Sequence, residues 1–192
     1  MLRVFCYQPK EKRTIMLKQI YFLRHFQTKN NMNHLLNGRN INVPIIKGNS
    51  LHCENNIELI FCSPALRCKQ TINFFVQDIT PPIIYTNLLL ERDLGKMEGK
   101  ARKQMIKQYP TLFFQNKFIV YATPPQGESF DLFKNRATNF WNYCNSSNKE
   151  TILICAHNQV LKMLYFTIKN KAPTINSWNS LSFPYGEITK IQ

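Results

Sequence analysis

No apolar run in this 192-residue chain approaches the roughly 18 to 20 residues that span a bilayer, so no transmembrane helix is expected. Residues 8–13 are charged and polar where the apolar core of a secretory signal would sit, which argues against export. The six cysteines, Cys6, Cys53, Cys62, Cys68, Cys144 and Cys155, form no CxxC pair. A zinc site or a disulfide framework is therefore not expected, and the usage suits a reducing cytoplasm. Asp and Glu total 11 against 25 Lys and Arg, a formal net charge of +14, and they form no cluster of metal-ligand type. No metal and no cofactor are expected. The basic residues are scattered, without an arginine-rich stripe interleaved with aromatics, and the excess of Lys, Asn, Ile and Phe reads as coding bias. Nucleic acid and membrane are thus poor candidates as partners. What the charge does provide is a positive field that favours encounters with small anions.

The chain has neither repeats nor a linker and is expected to form one domain over residues 16–192. Residues 1–15 are read as an N-terminal extension, and their disorder is left open. Met16 stands just before the first periodic strand and is an alternative start.

Strand-like and helix-like runs alternate. Strands are expected at 20–23, 57–62, 83–85 and 151–156. Helices are expected after Ser63-Pro64, where Ser63 reads as N-cap, over 99–108, after Glu128-Ser129, and over 160–168. Phe130, Phe133, Ala137, Phe140 and Trp141 form a core-facing stripe, while 181–183 and 187–191 read as edge strands. This alternation implies a three-layer α/β/α sandwich around a mostly parallel sheet. Ligands bind such sheets at the carboxyl ends of the strands. That rule gathers Arg24, His25, Arg67 and His157, each just past a strand end or in the first turn of the next helix.

Two guanidinium forks and two imidazoles repel one another unless an anion joins them, and a tetrahedral phosphoryl group resolves that conflict. One imidazole can serve as nucleophile. Protonating an ester's leaving oxygen also requires an acid. Glu91, beside the apolar run 88–90 at a loop opening, is the best candidate, because partial burial raises a carboxyl pKa. Glu98 is its rival. Glu128 reads as a first-turn helix residue, and His34 and His52 as solvent residues in polar loops.

These residues stand in segments that resemble the histidine phosphatase superfamily, the phosphoglycerate-mutase-like family. The opening Arg-His followed by Thr and Asn corresponds to Arg24-His25, Thr28 and Asn31, with Gly38-Arg39 beyond. The second motif corresponds to Ser63-Pro64-Ala65-Leu66-Arg67-Cys68-Lys69-Gln70-Thr71. The acid segment corresponds to Leu89-Leu90-Glu91 with Gly95-Lys96-Met97-Glu98-Gly99. Pro125-Gln126-Gly127-Glu128-Ser129 and the strand ending Ala156-His157-Asn158 complete the set. In order over residues 18–168, these motifs are specific together.

The resemblance implies a metal-independent, cytoplasmic phosphatase acting on a small phosphomonoester through a phosphohistidine. His25 would be the nucleophile. Arg24, Arg67 and His157 would bind the phosphoryl oxygens, and Glu91 would be the acid. Thr28, Asn31, Arg39 and Asn158 would contact substrate. His25 would need its second ring nitrogen tied to an acceptor such as a carbonyl. The family has glycine where this chain has Phe26, and often glycine where it has Asn158. A phenylalanine there is expected to narrow the pocket or tilt His25. If it disables the nucleophile, the chain is a non-catalytic phosphoanion-binding module. Between Gly99 and Thr123 Arg102 is the lone arginine, which argues against the mutase branch with its paired arginines. A phosphohistidine-protein phosphatase is a more distant alternative.

Overall fold

The computed structural model describes residues 18–192. The extension expected over residues 1–15 lies outside the described residues, as does Cys6.

The strands are β1 (Gln19–Arg24), β2 (Leu59–Cys62), β3 (Ile83–Tyr85), β4 (Phe113–Phe114), β5 (Lys117–Phe118), β6 (Thr151–Ala156) and β7 (Ile188–Lys190). The helices are α1 (Lys29–Met32), α2 (Leu66–Ile72), α3 (Arg102–Gln108), α4 (Phe130–Ser146), α5 (Asn158–Ile168) and α6 (Ile175–Ser180). Five strands form the central sheet in the order β3-β2-β6-β1-β7, parallel except for the edge strand β7. β4 and β5 make a separate small hairpin.

The central strands are apolar on both faces because both faces are covered. Ile20, Phe22, Leu59, Phe61, Ile152 and Ile154 pack on one side with Phe133, Phe140, Leu161 and Leu164 of α4 and α5. The alternate residues Tyr21, Leu23, Ile60, Cys62, Leu153 and Cys155 pack on the other side with Cys68 and Ile72 of α2. That period-two division makes the expected sandwich. The stripe on α4 is core: Phe133, Ala137 and Phe140 are buried, and Phe130 and Trp141 pack against them.

Several local expectations are corrected. Residues 181–183 form no strand, although Phe183 is buried in the core; only 188–190 closes the edge. Ser63 does not cap α2, whose N-cap is Ala65; its hydroxyl faces His157 instead. Glu128 precedes the N-cap Ser129 of α4 rather than lying in its first turn. The helix α6 and the β4–β5 hairpin were not anticipated. Both are short, and neither carries enough periodicity to be read from sequence.

None of the described helices is long and apolar enough to cross a membrane. Cys53, Cys62, Cys68, Cys144 and Cys155 are free thiols.

Candidate active site

β1 ends at Arg24, β2 at Cys62 and β6 at Ala156, in register side by side. The residues that follow therefore emerge at one edge of the sheet. They surround a cavity of about 210 Å³ lined by Arg24, His25, Asn31, Asn37, Arg67, Glu91, Arg102, Asn158, Gln159 and Tyr185 among others. Residues as far apart in sequence as Arg24, Arg67 and Asn158 thus share one pocket because parallel strands end together.

His25 is buried, and its backbone N–H donates to the Ala156 carbonyl at 3.1 Å. Its ring Nδ1 lies 2.6 Å from the Phe26 carbonyl oxygen, which can only accept. Nδ1 therefore carries the hydrogen, and Nε2 keeps its lone pair. Burial first, then the Arg67 and Arg24 charges, holds the His25 pKa well below the ordinary imidazole value. The ring is neutral at pH 7.

Arg67 is almost wholly buried. Nε donates to His157 Nδ1 at 3.1 Å, one terminal nitrogen to the Ile41 carbonyl at 2.7 Å and the other to the Gly38 carbonyl at 3.1 Å. A guanidinium has five N–H groups, so these three bonds leave two for a ligand. The Arg24 guanidinium carbon lies over the Tyr185 ring, 3.5 Å from its centroid, and the side chain donates to the Phe183 carbonyl at 2.9 Å. Its Nε is buried without a partner. Asn37 Oδ1 and Gln159 Oε1 are likewise unpartnered and belong to residues lining the same cavity. Orphaned buried polar atoms cost about 1–3 kcal/mol each, and a polar ligand in the cavity would remove that cost.

His157 is fully buried and lies behind Arg67 rather than on the cavity wall. Its ring and that of His25 meet edge to face at 5.2 Å between centroids. Nε2 is 2.9 Å from Ser63 Oγ. Burial, then the Arg67 charge, pushes its pKa well down, so it too is neutral.

The favoured acid and its rival have different surroundings. Glu91 lines the cavity and accepts from the Arg92 and Gln159 backbone N–H groups at 2.9 and 3.4 Å. Burial raises its pKa despite these bonds and the nearby Arg67 and Arg24 charges. Glu98 instead accepts from the backbone N–H groups of Arg39, Asn40 and Leu94 and so ties two loops together.

Of the expected substrate contacts, Asn31 and Asn158 line the cavity, while Thr28 and Arg39 do not. Thr28 is buried as the N-cap of α1 and closes a capping box with Asn31. Arg39 pairs with Glu128 at 2.9 Å, and Arg136 binds the same carboxylate at 2.8 Å. Burial opposes ionisation of Glu128, but the two arginines outweigh it and hold its pKa below the usual range. Tyr185, Gln159, Asn37, Arg102 and His34 belong to the wall and were not anticipated. Arg102 was visible as the lone arginine of its segment, but nothing local marked it as site-facing.

Phe26 neither fills the pocket nor displaces His25. It points into the core beneath α2, with its ring 5.5 Å from that of Phe74 and its N–H on Thr71 Oγ1 at 2.9 Å. The space comes from Gly186. A Cβ there would lie 2.1 Å from Phe26 Cε1, and the residue has φ of +66°. The bulk that the resemblance lacks at position 26 is accommodated by missing bulk at position 186. Gly186→Ala is therefore expected to lose about 2–4 kcal/mol from the clash and the left-handed backbone together. Chemical denaturation measures it, and the second substitution Phe26→Gly should recover the steric share. Unchanged stability in Gly186→Ala would contradict this account.

Comparison with known proteins follows the same outline. A sequence model of the histidine phosphatase superfamily (branch 1) matches residues 49–192. The chain belongs to this superfamily. The matched span contains Arg67, Glu91 and His157, while Arg24 and His25 precede it, in the segment where Phe26 departs from the family pattern. A protein of Schizosaccharomyces pombe named "Probable phosphatase" is 26% identical over 162 residues, 76% of this chain and 71% of that one. Among solved structures, the α-ribazole phosphatase of Shigella flexneri superposes with a TM-score of 0.72 at 20% identity, covering 88% of each chain. The mycobacterial glucosyl-3-phosphoglycerate phosphatase, in a complex with VO3, gives 0.70 at 16% identity over 90% of this chain and 92% of that one. These structural likenesses establish the histidine phosphatase fold around the site.

Proposed function

We propose that this protein is a metal-independent phosphatase that hydrolyses a small phosphomonoester through a phosphohistidine at His25. The observation that carries the reading is the His25 ring. Its Nδ1–H is held by the Phe26 carbonyl, which leaves Nε2 as a neutral nucleophile beside Arg24, Arg67 and Glu91. Nε2 attacks phosphorus, the ester P–O bond breaks, and Glu91 gives its proton to the departing oxygen. Water then attacks the phosphohistidine, Glu91 takes a water proton, and phosphate leaves with His25 restored. The free donors of Arg67 and the unpartnered Nε of Arg24 hold the phosphoryl oxygens as charge shifts onto them.

His157 supports Arg67 by accepting from its Nε. The Ser63 hydroxyl can also donate to His157 Nε2 while accepting the Ala65 N–H. That alternative tautomer makes Nδ1 a donor without adding charge, so His157 can turn to a phosphoryl oxygen once a ligand has engaged Arg67. Cys62, Cys68, Cys144 and Cys155 are buried free thiols, which agrees with a cytoplasmic setting.

Glu91 supplies the test. A poor alkoxide leaving group needs protonation, whereas p-nitrophenolate hardly does. Glu91→Gln is expected to slow an alkyl phosphate far more than p-nitrophenyl phosphate when phosphoenzyme formation limits the rate. In the wild type, kcat/KM for the alkyl phosphate should fall as pH rises through the raised Glu91 pKa, because the acid is lost. The p-nitrophenyl ester should lack that fall. Glu98→Gln, the control, should keep the wild-type leaving-group dependence. An unchanged dependence in Glu91→Gln sinks the assignment.

A further inference from the structure

Adjoining the phosphoryl cavity is a second one of about 300 Å³, and Arg24, Leu36, Leu94, Arg102, Asn158 and Gln159 line both. Its far end has a consistent chemistry. Lys162 of α5 and Lys117 of β5 lie on its wall, and no Asp or Glu does. Lys162 is buried, with its Nζ 4.5 Å from the centroid of the Trp178 ring. Among the described residues it has neither a hydrogen bond nor a carboxylate partner, although a buried ammonium is costly without one. Burial, then repulsion from Lys117, brings its pKa down to about 8, so it is still protonated at pH 7. Asn179, on the same wall, has a buried Nδ2 without an acceptor. Lys117 already donates to the Asn179 carbonyl at 2.6 Å, which draws its charge toward that point. Donors therefore converge on a cavity that contains no anion of the protein.

We infer that Lys162, with Lys117 and Asn179, forms a subsite for a second anionic group on the substrate. The substrate class is a phosphomonoester whose leaving group ends in a carboxylate or a further phosphate on a short stem. The stem would lie along Trp178, Phe118 and Leu181. This assignment rests on the phosphatase reading for the position of the ester, but the subsite stands on its own geometry. It comes from α5, β5 and α6 together, so no single sequence segment carries it.

Non-hydrolysable probes make the test independent of turnover. Calorimetry would compare ω-carboxyalkylphosphonates and α,ω-alkylbisphosphonates, with two to five methylenes, against alkylphosphonates of equal length. In the wild type at pH 7, at least one doubly anionic probe should bind about tenfold or more tighter than its singly anionic match, the scale of a hydrogen bond to a charged group. The carboxylate and bisphosphonate arms distinguish the two kinds of second anion. Lys162→Met should abolish that gain, Lys162→Arg should retain part of it, and the exposed Lys117→Met should reduce it. If no probe gains, or the gain survives in Lys162→Met, the subsite is wrong. Failure of the wild type to hydrolyse any phosphate ester would instead overturn the phosphatase reading, whatever the phosphonates do.

Discussion

His25→Ala should abolish phosphate-ester turnover, with kcat falling by at least about 10⁴-fold, as expected when a covalent nucleophile is removed. Among the described residues the other candidate nucleophiles are poorly placed: His34 is an exposed residue of the wall, without the buried setting of His25. His157 lies behind Arg67, and Glu91 is a weak nucleophile held by two backbone N–H groups. The substitution should leave the fold intact, because the His25 backbone bond to Ala156 does not depend on the ring. Wild type mixed briefly with ³²P-labelled substrate and then denatured should retain label that is lost in acid and kept in base, as a phosphoramidate requires. His25→Ala should trap none. Full activity in His25→Ala would end the proposal, and base-labile label would point to a carboxylate as nucleophile.

Arg67→Ala should lower kcat/KM by about 100-fold or more, the scale of losing one preorganised donor to the transition state. It should also weaken binding of inorganic phosphate. The surroundings of Arg67 add a second effect that its motif does not reveal. The Gly38 and Ile41 carbonyls and His157 Nδ1 all lose a donor at once. Each unsatisfied buried group costs about 1–3 kcal/mol, less where water enters from the cavity. For a chain of this size that lowers Tm by several degrees. Activity must therefore be read well below the transition, on protein whose folded fraction has been verified. Arg67→Lys should recover little, because an ammonium cannot reach three acceptors and a phosphoryl group in the planes that a guanidinium serves. A lowered Tm with unchanged kcat/KM in the folded protein would make Arg67 a structural residue only.

Both variants probe residues that could be identified from sequence, and the reason is local. A strand that ends in a polar, chemistry-bearing residue leaves a composition break, as at Leu23-Arg24-His25 and at Ala156-His157. Short continuous apolar runs alternating with helix-like segments determined the α/β class, because a sheet covered on both faces needs strands that are apolar on both sides. Glu91 was favoured over its rival Glu98 from its place beside the apolar run 88–90, although both are carboxyls beside the turn at Gly95. The tertiary structure adds the physical difference between them. One carboxyl is buried against a cavity, where its acid form is favoured, and the other is consumed by backbone N–H groups. Arg39 read as a substrate contact from the resemblance, while its pairing with Glu128, 89 positions later, is not visible in sequence. Phe26 looked like an obstruction because the sequence records its size and not its direction. The glycine that makes room for it lies 160 residues away, in the connection between α6 and β7. The subsite around Lys162 is the extreme case: its lysines, amide and aromatic wall come from three elements with no shared motif. The sequence thus determined the main elements, the sheet class and the candidate reacting groups, whose signals are local. Which charges are paired and which are left facing a cavity was decided by packing between segments far apart in the chain.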